Sequence, residues 1–191
     1  LQKDGAVIGV KTEADEEFFA PLTVLSTGGK SYPATGSDGS GYTLAAVAGH
    51  TIIPPRASLV PIICENTDKQ FSALMGLSLR NVTLNLIEKK SGKTIYSELG
   101  DMLFTHFGIS GPLALTASSY MALPTDYRIT IDCKPGLTAE QLDARLLRDF
   151  EQSPNRAFGN ALEALLPRSL IPVVVAKSGI PAERRVNQLT R

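Results

Sequence analysis

The apolar residues around position 80 change sides. Leu77 and Leu79 share one parity of an extended chain, whereas Val82, Leu84 and Leu86 share the other. Successive side chains of a strand point to opposite faces, so a pleated ribbon keeps one parity unless a residue is inserted. The pattern predicts a bulge or break near Asn81, which bends a strand and sharpens its twist. Around it lie further β-favouring stretches: Ala57–Cys64, then Lys93–Leu99 after the Ser91-Gly92 turn, Asp101–His106, and the alternating Tyr127–Asp132. Short strands separated by turn residues describe a small barrel or a tightly curled sheet. At least five strands are expected between Thr51 and Asp132.

The flanks differ in kind. Ala6–Val10 and Phe18–Ala20 read as a hairpin across the acidic, solvated turn Glu13–Glu17, and Leu22–Leu25 is apolar enough for a strand buried on both faces. From Ser26 to Tyr42 the chain is dominated by Gly, Ser, Thr and Pro; a helix Gly41–Ala48 follows, with Leu44 and Val47 on one face and Gly49 as its stop. Farther on, Ser110 before Gly111-Pro112 reads as a helix cap. Thr138-x-x-Gln141 is a capping box ahead of the stripe Leu142, Leu146, Leu147 and Phe150. Phe158, Leu162, Leu165 and Leu166 make a second stripe, and Leu170–Ala176 and Ala182–Arg191 two shorter helices. The fold class is therefore α+β: a β-barrel-like module over residues 51–136, a helical module over residues 137–191, and a separate segment over residues 1–50.

Charge and cysteine content narrow the function classes. Lys plus Arg and Asp plus Glu number 19 each, so nothing global draws the chain to nucleic acid or to an anionic membrane, and neither partner is expected. Arg184-Arg185 reads as a solvated helix face. No apolar run approaches the ~18 residues that span a bilayer. Cys64 and Cys133 stand apart, without metal or redox spacing, and are expected to be reduced, buried thiols of a cytoplasmic protein. A start at Leu1 and an end at Arg191, inside a helical pattern, read as a piece cut from a longer protein.

Two blocks carry chemistry. The first is Ser26-Thr27-Gly28-Gly29-Lys30-Ser31-Tyr32-Pro33-Ala34-Thr35-Gly36-Ser37-Asp38-Gly39-Ser40-Gly41-Tyr42, followed by Gly49-His50. Its glycines bring backbone close to whatever lies beside it, and a helix start favours an anion; a flexible surface loop is the other reading. The second is Gly100-Asp101-Met102-Leu103-Phe104-Thr105-His106-Phe107-Gly108-Ile109-Ser110-Gly111-Pro112. Both blocks, in this order and with Leu59-Val60-Pro61-Ile62 between them, resemble the BaiN-like, aminoacetone-oxidase type of FAD-dependent flavoprotein. Ser26 stands where that family usually has Ala, Asp38 where it often has Thr, and Ser40 where it often has Asp. The family's Gly-x-Gly-x-x-Gly turn, which holds the FAD pyrophosphate, has no counterpart here.

The resemblance implies a fragment of an FAD-dependent oxidoreductase. Residues 1–50 would be a remnant of a discontinuous, Rossmann-type FAD-binding domain, and the rest its inserted, substrate-side region with a module like a helix–two-turn–helix. Thr27, Gly28 and Gly29 would approach the FAD of the full-length parent, whereas this chain alone is expected neither to retain FAD nor to be active. Thr35, Gly36, Ser37, Gly39, Gly108 and Ser110 would line the flavin or substrate cavity. Its partners would be the remainder of the FAD-binding domain and a small-molecule substrate that the sequence does not name. His106 has two readings: a proton-exchanging group near the flavin, or a ring that fixes its turn by hydrogen bonding to backbone. His50 reads as part of a helix end. A non-enzymatic binding or assembly module is the alternative for the whole chain.

Overall fold

A computed structural model describes residues 1–65, 73–122 and 124–189. The chain divides into two compact units, residues 1–56 and 57–191.

The first unit holds two small hairpins. β1 (Gln2–Lys3) pairs with β2 (Ala6–Val7) across Asp4-Gly5, and β3 (Gly9–Lys11) pairs with β4 (Glu17–Phe19). The expected hairpin forms only from Gly9 onward, because Ala6–Val7 pairs back with Gln2–Lys3 instead, and Lys11 reaches Asp15 at 2.8 Å inside the acidic turn. Leu22–Leu25 does not form the expected strand: Leu22 and Val24 are 85% and 86% exposed, and the segment has no regular structure. A strand apolar on both faces is buried only between neighbours, and no described strand pairs with it. α1 (Ser40–Val47) matches the expected helix, although Leu44 and Val47 are exposed.

The second unit is built on an antiparallel sheet of five strands, in the order β5-β8-β7-β6-β9. These are β5 (Ile62–Ile63), β6 (Ser78–Glu88), β7 (Thr94–Phe104), β8 (Gly108–Ser110) and β9 (Tyr127–Asp132). The parity change at Asn81 is a bulge. Leu79 pairs with Met102 and Val82 with Gly100, so Arg80 and Asn81 together face Asp101 alone. Asn81 has φ 53° and its N–H donates to the Asp101 carboxylate at 3.2 Å. The insertion lets Leu79, Val82, Leu84 and Leu86 all reach the core, where Leu84 and Leu86 are fully buried. Burying each such side chain contributes roughly 1.5–3 kcal/mol.

Three expectations change here. Lys93–Leu99 and Asp101–His106 are one eleven-residue strand, β7, running through Gly100. A β-carbon at Gly100 would come within 3.0 Å of Leu113, so the glycine seats the helix α2 (Pro112–Ser119) on the sheet rather than ending a strand. Ala57–Cys64 is β structure only at Ile62–Ile63. Ser110 does not cap α2; it closes β8 opposite Leu103, and Gly111 (φ 85°) is the residue before the helix. A β-carbon at Gly111 would press on the backbone of Met102 and Leu103, so only glycine allows this approach.

α3 (Ala139–Glu151) begins with the expected box: the Gln141 N–H donates to Thr138 Oγ1 at 3.2 Å, and the Thr138 N–H donates to Gln141 Oε1 at 2.9 Å. α4 (Phe158–Ala161) is shorter than its apolar stripe, which continues through turns to Leu165 and Leu166. α5 (Ile171–Ser178) follows and ends at Gly179. Ala182–Arg191 is not a helix where described: the Arg184 carbonyl accepts from the Phe158 N–H at 2.8 Å, Arg185 bridges Ala157, and only Val186–Gln188 forms a 3-10 turn. Residues 190 and 191 lie outside the described residues. Phe158, Leu162, Ile171 and Val175 make a small core against Phe150, while Leu170 is buried in the sheet's own core. The helical residues are thus held to the sheet by side chains from the α5 region.

Candidate functional site

In the first unit the glycine-rich block folds back on itself. The Tyr32 carbonyl accepts from the N–H groups of Thr35 and Ser37, at 3.0 and 3.2 Å, and from the Thr35 hydroxyl at 3.0 Å. Pro33–Thr35 is therefore a 3-10 turn, ended by Gly36 at φ 92°. Gly39, at φ 91°, precedes α1, and the Asp38 carboxylate accepts from the Ser40 N–H at 2.9 Å. That backbone hydrogen bond, with a second from the Ser40 side chain, holds the Asp38 carboxyl below the usual carboxylate range.

The Thr27–Gly29 segment lies against this helix start. A β-carbon at Gly41 would overlap the Thr27 hydroxyl, and one at Gly28 would stand 2.8 Å from Ser37 Oγ. Gly28 also has φ 77°. Gly29 differs: its conformation is not left-handed, and the nearest atom to a β-carbon there is the Tyr42 hydroxyl, 3.9 Å away. The N–H groups of Thr27, Gly28 and Gly29 find no acceptor among the described residues. Thr27, Gly28, Gly29, Thr35, Gly36, Ser37 and Gly39 thus gather in one surface loop. At the far end of α1, the His50 N–H reaches the Ala45 carbonyl and the Gly49 N–H the Ala46 carbonyl, each at 3.0 Å. His50 serves the helix end through its backbone.

The remaining candidates belong to the second unit. Thr105 closes a tight turn: its N–H donates to the Gly108 carbonyl at 2.9 Å and its Oγ1 accepts from the Gly108 N–H at 3.1 Å. Thr105 therefore fixes this turn, and the His106 ring makes no hydrogen bond to backbone among the described residues. His106 is exposed at the corner, its ring edge-on to Phe107 with centroids 4.9 Å apart. Gly108 is required by packing, since a β-carbon there would strike the Ile62 carbonyl of β5. Ser118, which no pattern in the sequence singles out, is 5% exposed; its hydroxyl accepts from the Val60 N–H and donates to the Leu115 carbonyl. Cys64 and Cys133 are free and half-buried rather than buried, and burial pushes both thiols up.

The two edge strands of the curled sheet border a cleft of about 450 Å³, lined by Ile62, Cys64, Met121, Tyr127 and Ile129, with Lys89 and Asp126 at its polar side. Among the described residues no cluster of His, Cys, Asp or Glu has the makings of a metal site, and no helix is long and apolar enough to cross a membrane.

A curled antiparallel sheet plugged by one helix and followed by short helices defines a barrel-and-helix module attached to a glycine-loop segment. Residues 56–191 match the HI0933-like protein barrel and H2TH domain, and the chain belongs to that family. It is 37% identical over 183 residues to the ribosomal RNA dihydrouridine synthase of Haemophilus influenzae, covering 96% of this chain and 43% of that protein. The Escherichia coli protein of the same name is 31% identical over 159 residues, or 83% of this chain and 37% of that protein. A 3-dehydro-bile acid delta(4,6)-reductase of Clostridium scindens is 26% identical over 179 residues, or 86% of this chain and 40% of that protein. The BaiN-like resemblance carried by the two sequence blocks is borne out. The chain spans about two fifths of the length of these relatives.

Proposed function

We propose that this chain is the middle of a longer FAD-dependent reductase that saturates a carbon–carbon double bond in a base of ribosomal RNA. The observation that carries this is the Thr27–Tyr42 loop, which falls within the 96% of the chain aligned with a dihydrouridine synthase. The names of the relatives share a chemistry. Making dihydrouridine, and reducing an alkene conjugated with a 3-oxo group, each adds two hydrogens across a double bond conjugated to a carbonyl. A flavin in its reduced form supplies the hydride for such a step.

The loop fits the cofactor. Thr27, Gly28 and Gly29 have backbone N–H groups without an acceptor among the described residues, and a β-carbon at Gly29 would meet nothing nearer than the Tyr42 hydroxyl at 3.9 Å. These residues would hold one edge of the FAD. The exposed Leu22–Leu25 would become a buried strand between neighbours from the remainder of the FAD-binding domain. Residues 57–191 would sit on the substrate side. An RNA substrate departs from the expectation, drawn from balanced charge, of no nucleic-acid partner; the two dihydrouridine synthases motivate it.

The test uses the full-length protein. It should carry a flavin spectrum, and ribosomal RNA from cells lacking it should lose one dihydrouridine, restored on re-expression and read as two hydrogens by mass spectrometry. A flavin-free full-length protein, or unchanged dihydrouridine, would contradict the proposal.

A further inference from the structure

The β6–β7 turn and the start of β9 bring cations to one end of the sheet. The Glu88 N–H donates to the Lys93 carbonyl, and the Lys89 N–H donates to the Asp126 carbonyl, each at 2.9 Å. Ile87 pairs with Thr94 on one side and with Arg128 on the other. This register places Lys89, Lys90, Lys93 and Arg128 together, all exposed. None makes an ion pair among the described residues, whereas Arg145, Arg156 and Arg168 of the helical region all do. Glu88 and Asp126 are the carboxylates of these strand ends, and Glu65 lines the adjoining cleft beside Lys89, so the four cations still leave the patch net positive.

The cations continue onto a neutral, hydrogen-bonding row. Arg128 and Thr130 share the exposed face of β9. Beside them, the Asn85 amide donates to the Thr130 hydroxyl at 3.3 Å, and the Ser97 hydroxyl donates to Asn85 Oδ1 at 2.6 Å. Unpaired cations beside a row of hydroxyl and amide groups suit a polyanion with phosphates at regular spacing and ribose hydroxyls between them.

We propose that this end of the sheet is an RNA phosphate-contact surface, which rests on the reading of RNA as the substrate. Its test is RNA binding by the 191-residue chain, followed by fluorescence anisotropy with a structured ribosomal RNA fragment across a salt series. Combining Lys90→Glu, Lys93→Glu and Arg128→Glu should weaken binding at least tenfold. Losing three phosphate contacts should also flatten the slope of log affinity against log salt by about 2–3, at roughly 0.7–0.9 per contact. Arg168→Glu with Lys177→Glu should change neither. If the charge-reversed variant fails to fold by circular dichroism, the same three positions changed to Gln should still weaken binding and flatten the slope.

No RNA binding by the chain, an unchanged slope in the variant, or equally tight binding of polyglutamate would each overturn the proposal. Dihydrouridine formation by the full-length protein separates the two claims. RNA binding through the patch without that activity would sink the enzymatic reading alone. Activity with unaltered binding by the variant would sink the surface alone.

Discussion

The hydroxyl of Thr27 occupies the space that a β-carbon on Gly41 would need. The Thr27 segment and the start of α1 are therefore pressed together, and Gly41 is set by packing within the protein rather than by a ligand. Gly41→Ala should destabilise the first unit by about 1–3 kcal/mol, as overpacking does. Adding Thr27→Ala should recover most of that loss, because the clashing atom is gone. A double-mutant cycle read by chemical denaturation checks the coupling; additive losses would show that the two residues do not touch.

Asn81 sits at the bulge with φ 53°, where glycine and asparagine are at ease and β-branched residues are not. Asn81→Gly should leave the melting temperature nearly unchanged. Asn81→Val should cost about 1–3 kcal/mol in strain. Equal stability of the two variants would mean that the bulge does not depend on this conformation.

The bulge is legible in the sequence because a strand with one buried face changes parity only by gaining or losing a residue. The capping box at Thr138 is legible because its residue types and spacing are specific. Leu22–Leu25 is not, because hydrophobicity reports what a segment needs to bury and not whether neighbours are present to bury it. Gly100 divides one strand into two on sequence grounds, since a glycine that seats a helix and a glycine that ends a strand look alike there. Ser110 has the residue type of a cap, but the approach of Gly111 to Met102 and Leu103 fixes where α2 begins. The glycine-rich block stands out by composition and resemblance together. Neither distinguishes Gly28, held by a left-handed φ and the nearby Ser37, from Gly29, held by nothing within the loop.

Thr138→Ala should cost about 1 kcal/mol, since the variant loses the side-chain acceptor for the Gln141 N–H at the start of α3. Thr138→Ser should retain most of the stability. Thermal melts of both, beside the parent chain, give the comparison, and an Ala variant as stable as the Ser variant would show that the cap contributes nothing.

Burial raises the thiols of Cys64 and Cys133, so the folded state holds their protons more tightly than the unfolded state does. Their contribution to stability is complete below the ordinary thiol range and is lost as pH rises through the raised folded values. Iodoacetamide at about pH 8 should label both more slowly than a free thiol of ordinary pKa, ~8.5, and labelling should accelerate on unfolding. Labelling of the folded chain at the rate of glutathione would contradict this.

The isolated chain, without the glycine turn that holds the pyrophosphate, should be colourless and should not retain added FAD through gel filtration. Stoichiometric retention would place the main cofactor contacts within these 191 residues.

Gly29 gives the most direct test of the proposed cofactor contact in the full-length protein. A side chain at Gly28 is strained in any case, so its loss of flavin would be ambiguous. At Gly29 neither φ nor a close neighbour opposes a β-carbon, whose nearest atom would be the Tyr42 hydroxyl at 3.9 Å, so the fold itself should accept a substitution there. Flavin bound per folded molecule should therefore fall severalfold in Gly29→Val, while the melting temperature of the flavin-free protein stays within a degree or two of the parent's. Full flavin occupancy in Gly29→Val would contradict the placement of FAD against Thr27, Gly28 and Gly29.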